Sequence, residues 1–299
     1  MSLAPIVLFT YNRLHHTTQT IKALKKNFLA DKSNLIIFSD GPIDNPNKKS
    51  VEAVREYIQN ITGFKSVEIV KRKENFGLAK SIIDGVTEVV NKYGKVIVIE
   101  DDIVTSKYFL QYMNKGLDSY EQEDKVISIN AYFYPVENTD QLTDTFFLKG
   151  TDCWGWATWK RGWDLFEADG KKLMHEIRQK KLGREFDGYC GFTNMLADQI
   201  KGKNDSWAIR WHASAFLKEK LSLFPAHSLV LNIGHDTSGR HSASTDVFGK
   251  ELLDTPIKIT KIDIRENISA KLAQQKFFKK IYPSFLKKIK NKLTSTFSS

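Results

Sequence analysis

Val96-Ile97-Val98-Ile99-Glu100-Asp101-Asp102 sets four β-branched residues directly against three carboxylates. β-Branched side chains are stiff and favour extended backbone, so the run predicts a strand. The acids follow at its carboxyl end, where ligands bind in open parallel sheets. Three adjacent carboxylates repel one another unless a cation or hydrogen-bond donors neutralise them. A hard divalent ion, held by one or two carboxylates and by phosphate oxygens, meets that need. The alternative is an acidic turn capping a helix that starts near Ser106, because Asp favours helix N-termini. On this stretch alone both readings stand.

Working outward, apolar runs at Pro5 to Thr10, Asn34 to Phe38 and Ser66 to Val70 predict three more strands. Helical spacing of apolar residues predicts helices at about Leu14 to Phe28, Lys48 to Ile61 and Leu78 to Tyr93, with Lys107 to Glu121 and a strand at Lys125 to Asn130 following. This βαβ rhythm predicts an α/β fold, a mostly parallel, Rossmann-like sheet flanked by helices, with no internal repeat. Each early strand ends in groups suited to a ligand. The first gives Thr10, Tyr11, Asn12 and Arg13, and the second gives Asp40 and Gly41. Asp40 is suited to accept the imide N–H of a uracil ring, and Gly41 to let a flat base approach the backbone. After the third strand, Arg72, Asn75, Gly77 and Lys80 are suited to ribose and phosphate. Each is by itself an ordinary turn, but a parallel sheet brings all four strand ends to one edge.

With 299 residues and 41% hydrophobic composition, the chain has enough apolar material for a sizeable core. No run approaches the roughly 18 apolar residues of a spanning helix, and the N-terminus lacks a secretory pattern, so the expectation is a cytoplasmic protein. Cys153 and Cys190 have no metal or redox spacing and read as reduced thiols. The net charge is +10, yet eight lysines and no acid lie in 271–299, which leaves +2 for the rest. A basic tail on a near-neutral body argues against a nucleic-acid partner. In the tail, Phe278, Ile281, Tyr282, Phe285, Leu286, Ile289 and Leu293 recur at helical spacing among lysines, with Pro283 starting or kinking a helix. Such a basic amphipathic helix suits an anionic membrane surface, where it would meet a lipid-linked acceptor; the alternative is a solvated helix packed on the body.

After Asn130 the sequence turns aromatic, and all six tryptophans lie there. The division expected is a nucleotide-sugar half at 1–130, an acceptor and catalytic half of the same domain at 131–250, and an extension at 251–299. Trp159 and Trp163 read as core on a helix. Trp154 and Trp156, flanking Gly155, read as sugar contacts, since aromatic faces cover apolar surface and exclude water. Leu221 to Phe224 and Ser228 to Ile233 read as late strands, and a helix is expected at Ser206 to Lys218.

Taken together, Ile6 to Arg13, Ser39-Asp40-Gly41, Asn75-Phe76-Gly77-Leu78-Ala79 and Glu100-Asp101-Asp102 resemble the GT-A glycosyltransferases, especially the inverting family-2-like bacterial sugar transferases and the related N-acetylglucosaminyltransferase I group. The resemblance runs from about Pro5 to Ser242. It implies metal-dependent transfer, with Mn2+ or Mg2+, of a sugar from a nucleotide diphosphate donor, most simply a UDP-sugar, to a hydroxyl of a glycan acceptor. The setting it implies is cell-surface polysaccharide or lipopolysaccharide synthesis at the inner face of the membrane. By the same likeness Asp102 ligates the metal and Asp101 positions ribose or the metal's water shell. His241, a better match than His235, completes the metal site. Arg240 meets the diphosphate, while Glu100, Trp154, Gly155 and Trp156 face the sugars. Asp205 is the implied general base, with Asp198 and Asp187 as alternatives and helix capping as its plainer role. The chain departs from the usual Asp-x-Asp in having its two aspartates adjacent. A sugar nucleotidyltransferase is the nearest rival, but the Gly-rich phosphate loop after the first strand is missing. A nucleic-acid binder and a non-catalytic lectin-like domain are the others.

Overall fold

The computed structural model describes residues 2–236, 247–249 and 251–281. Its first half alternates β1 (Ile6–Thr10), α1 (Leu14–Lys25), β2 (Asn34–Ser39), α2 (Asn45–Gln59), β3 (Ser66–Lys71), α3 (Leu78–Tyr93) and β4 (Lys95–Glu100). Then come β5 (Ile103–Thr105), α4 (Phe109–Ser119), β6 (Val126–Asn130), β7 (Thr145–Lys149), β8 (Trp156–Trp159), α5 (Lys160–Trp163) and α6 (Gly170–Gln179). The rest is α7 (Gly183–Asp187), α8 (Phe192–Ile200), α9 (Trp207–Leu217), β9 (Leu221–Pro225), β10 (Val230–Asn232) and α10 (Ile268–Ile281).

Among the described residues eight strands form one sheet in the order β3-β2-β1-β4-β8-β6-β9-β7, and β10 pairs antiparallel with β5 beside it. β1 to β4 are mutually parallel, as the βαβ rhythm requires. The chain moves outward from β1 through β2 to β3 and then returns to place β4 on the other side of β1. That reversal opens a crevice at the carboxyl ends of β1 and β4. Both faces of the central strands are covered: Leu8, Ile97 and Ile99 pack in the core that includes Ile21 and Met113, while Val7 and Val98 pack with Ile82 and Val86. This two-sided burial explains the unbroken β-branched runs.

The second half joins the same sheet, because β8 lies antiparallel between β4 and β6. Trp159 is therefore on a strand and not on the expected helix. Long-range pairing on both sides outweighs local preference there. Trp156 is also corrected: it is 0% exposed, and its ring lies 5.4 Å from Trp207, 5.8 Å from Trp211 and 5.7 Å from Trp163. It fills the core and has no face for a sugar.

The chain after 250 packs onto the body. Leu253, Ile257, Ile259, Ile262 and Ile264 lie against the main core, and Ala270 and Phe278 of α10 are buried. Phe278 is thus unavailable to a membrane, and Lys276 pairs with Glu137 at 2.7 Å. Pro283, Phe285 and the lysines beyond lie outside the described residues. No helix among the described residues is long and apolar enough to cross a membrane.

Candidate active site

Arg13 enters the crevice from the end of β1 and meets the acids at the end of β4. Its Nη2 donates to Asp102 Oδ2 at 2.8 Å and to Asp101 Oδ1. Burial works against the Arg13 charge, but Asp101 and Asp102 hold its proton and raise its pKa. Burial, reinforced by Asp102 and Asp101, drives the Glu100 carboxyl well above the usual range. Burial likewise pushes Asp101 up to about 6 in spite of Arg13. Asp101 and Asp102 meet one guanidinium, so two carboxylates face a single positive charge. The capping alternative does not hold: the acids form the turn between β4 and β5, while α4 starts at Phe109 with no side-chain cap.

A divalent cation suits that charge, though no three His, Cys, Asp or Glu groups among the described residues come together as a ligand set. The fit is to an ion taking one protein carboxylate and completing its shell from phosphate and water. Asp102 is placed for this. The strand β10 leads over it, Ile233 N donates to its carbonyl at 2.9 Å, and a side chain at Gly234 would collide with its carboxylate. Next comes His235, its ring 5.3 Å from Trp154 and 5.1 Å from Phe248. Its Nε2 is buried without a hydrogen-bond partner among the described residues, and burial lowers its pKa against the pull of Asp102. His241 and Arg240 lie outside the described residues. The sequence reading missed His16, whose Nε2 lies 3.0 Å from Asp236 Oδ2 and ties this loop to α1. A histidine directly after the Arg13 segment was the available signal.

On the nucleotide side, Asp40 does not present a free acceptor. Its carboxylate takes the backbone N–H groups of Gly41, Phe76 and Gly77, each at 2.9 Å, and the Asn75 amide at 3.1 Å. These bonds clamp the loop before α3 against the end of β2, so Asp40 shapes this wall. Gly41 is needed because any Cβ would strike the backbone of Glu74. Tyr11 and Asn12 turn toward the start of α2: Ile43 N donates to the Tyr11 hydroxyl at 3.4 Å, and Asn12 donates to Asn47 at 3.0 Å. Thr10 Oγ1 is buried with no partner. Arg72 and Lys80 flank the Phe76 ring at 4.1 and 4.5 Å and share Asp84.

On the opposite side, the half-buried Trp154 packs 4.5 Å from Tyr132, and Gly155 takes a φ of +65° at a place where a Cβ would also strike Val230. Asp205 precedes α9, whose Trp207 stacks on Trp156 opposite Val98 of β4. Ser206 caps α9, accepting from Ile209 N at 3.2 Å, so capping does not account for Asp205. Asp205 is largely exposed and is held by Arg210 at 3.3 Å. Asp187 accepts from Thr193 N at 3.1 Å and Asp198 pairs with Lys203 at 3.5 Å, both in local roles. Asp152 was overlooked among the tryptophans. Burial pushes it up to about 6, against the hydrogen bonds from Trp154, Cys153 and Tyr134.

Residues 6–196 match the family described as Glycosyl transferase family 2. No curated protein matches the chain in sequence. Among solved structures, S. aureus TarS 1-349 in complex with UDP-GlcNAc is 15% identical with a TM-score of 0.33, covering 46% of this chain and 36% of that one. The mannosyltransferase PcManGT from Pyrobaculum calidifontis, in complex with GDP-Man and Mn2+, is 13% identical with a TM-score of 0.38, covering 55% and 45%. The chain spans less than half the length of each. The helix-flanked, mostly parallel sheet with its crevice between β1 and β4 has the GT-A arrangement. With β1, the crevice acids and the β8 strand all inside the matched residues, the chain belongs to glycosyl transferase family 2.

Proposed function

We propose that the chain transfers a glycosyl group from a nucleoside diphosphate sugar, read as a UDP-sugar, to a hydroxyl of a glycan acceptor, with inversion at the anomeric carbon. One observation carries this reading: the paired carboxylates of Asp101 and Asp102 on a single arginine at the switch point of the sheet. When bound, Mn2+ or Mg2+ stabilises the negative charge that builds on the departing diphosphate. Asp102 holds the cation, with His235 or His241 as the nitrogen ligand. Arg13 fixes the Asp101 and Asp102 carboxylates in place, and Asp101 faces the ribose. Thr10, Tyr11, Asn12 and Asn75 line the nucleotide wall that Asp40 shapes. Asp205 accepts the proton of the acceptor hydroxyl as that oxygen attacks opposite the leaving group. The setting proposed is cell-surface polysaccharide or lipopolysaccharide synthesis on a lipid-linked acceptor, akin to the N-acetylglucosaminyltransferase I group in its site. Ile268 and Leu272, each 59% exposed on α10, and the lysine-rich tail support contact with an anionic membrane at its cytoplasmic face.

The test is a panel of nucleotide sugars with and without Mn2+, read by thermal shift and donor hydrolysis in the wild type and in Asp102→Asn. The expected result is donor stabilisation that needs Mn2+, and hydrolysis reduced about hundredfold in the variant with folding retained. Wild-type turnover by Asp102→Asn removes the assignment.

A further inference from the structure

The turn from Asp152 to Trp154 adjoins the acid cluster, since the Trp154 ring lies 5.3 Å from that of His235 and the neighbouring Gly234 packs against the Asp102 carboxylate. Its other neighbour is a partly open cavity of about 240 Å³ bounded by this turn, α9 and α10. That volume falls below the roughly 300–1,000 Å³ of sites for drug-sized ligands and suits one small ring. The walls are largely aromatic, with Tyr132, Tyr134, Trp154 and Phe278 among them.

Three polar groups on the walls have hydrogen-bonding capacity to spare. Asp152 Oδ1 accepts from Cys153 N at 2.8 Å and Trp154 N at 2.9 Å, but Oδ2 meets only the Tyr134 hydroxyl, at 3.4 Å. A carboxylate has about four acceptor positions, so Oδ2 is under-used. From the facing wall, the side-chain amides of Gln274 and Gln275 hydrogen-bond to no described residue. α10 is fixed as this wall by Asn267 N donating to Phe147 O at 2.8 Å and Lys149 N donating to Glu266 at 3.3 Å.

We infer that this cavity is a subsite for one sugar ring of the acceptor, with Asp152 and the two glutamine amides reading its hydroxyls and the aromatic rings covering its C–H faces. This rests on the transferase reading of the adjacent acid cluster. An alkyl chain fits the chemistry poorly, because it would cover the under-used Asp152 Oδ2 and the two glutamine amides without offering them a hydrogen bond. α10 thereby becomes a specificity element, which accounts for Phe278 facing inward.

The test uses methyl glycosides of glucose, galactose, mannose and N-acetylglucosamine, with octanoate as an apolar probe, read by saturation-transfer NMR. Stabilisation by UDP with Mn2+ is measured in parallel. Two variants act at the cavity wall away from the acids: Gln274→Trp, which fills the space, and the milder pair Gln274→Ala with Gln275→Ala. The expected result is a glycoside signal in the wild type, weakened about tenfold in the double variant and lost in the tryptophan variant, with the UDP–Mn2+ response unchanged. Silence from every glycoside while UDP–Mn2+ binds overturns the proposal. So does glycoside binding that both variants leave intact, or octanoate binding in place of glycosides. Glycoside binding without any nucleotide response instead removes the transferase reading and leaves a sugar-binding cavity.

Discussion

The ends of β2 and β4 lie on one edge of the sheet with β1 between them, and both carry carboxylates, yet the protein treats the two in opposite ways. Asp40 receives four hydrogen bonds within its own wall and has none left unmade. Asp101 and Asp102 share one guanidinium, beside Glu100. A satisfied buried carboxylate is framework, whereas an under-neutralised group raises the energy of the empty site and favours whatever ligand relieves it. Residue type and strand position are nearly the same at the two ends, so the neighbours decide the role.

The largest effect that this comparison predicts is at Asp40. Asp40→Ala leaves the N–H groups of Gly41, Phe76 and Gly77 without their acceptor, while the Asn75 amide keeps Gly41 O, at a cost of about 4 kcal/mol. Urea unfolding measures it, and Asp40→Asn, which keeps part of the acceptor set, should lose less. Wild-type stability in Asp40→Ala would mean that the carboxylate is free for a base, as its position at a strand end first suggested.

The acid cluster predicts a loss that a cation repairs. Arg13→Ala removes the guanidinium that Asp101 and Asp102 share, costing about 2 kcal/mol once partial exposure is allowed for. Because the carboxylates are then still less neutralised, Mn2+ alone, with no nucleotide, should raise the melting temperature of this variant more than that of the wild type. Equal Mn2+ responses would break the contrast between the two strand ends.

How far the sequence carried these distinctions depended on the range of the interactions. The run Val96 to Glu100 was legible because four β-branched residues admit little but a buried strand, and a parallel strand presents its carboxyl end to the crevice. Asp40 was legible as a residue at that edge, but its donors come from Phe76 and Gly77, 36 and 37 positions away. Trp156 beside Gly155 resembled a loop, because its pairing with Val98 and Asn130 is non-local. Phe278 fitted an amphipathic surface helix equally well until Tyr134, 4.7 Å away, supplied a packing partner. Spacing gives the face of a helix but not what covers it.

Asp152 stands between the two cases and gives the smallest effect. One of its oxygens is satisfied by two backbone donors and the other nearly bare, and burial places its folded pKa at about 6 against an ordinary 3.8. A carboxyl whose folded pKa is raised binds its proton more tightly when folded, so its contribution falls as pH rises from about 4 to 6 and stays low above that. Asp152→Asn keeps an acceptor for the Cys153 and Trp154 N–H groups and has no charge to bury. The stability of the variant relative to wild type should therefore improve by about 1 kcal/mol between pH 4.5 and pH 7.5, less than the full shift implies because solvent reaches part of the side chain. Thermal unfolding at the two pH values measures the difference. A pH-independent difference would place Asp152 with Asp40 among the fully compensated carboxylates, and would leave the cavity beside it without the acceptor that a sugar hydroxyl needs.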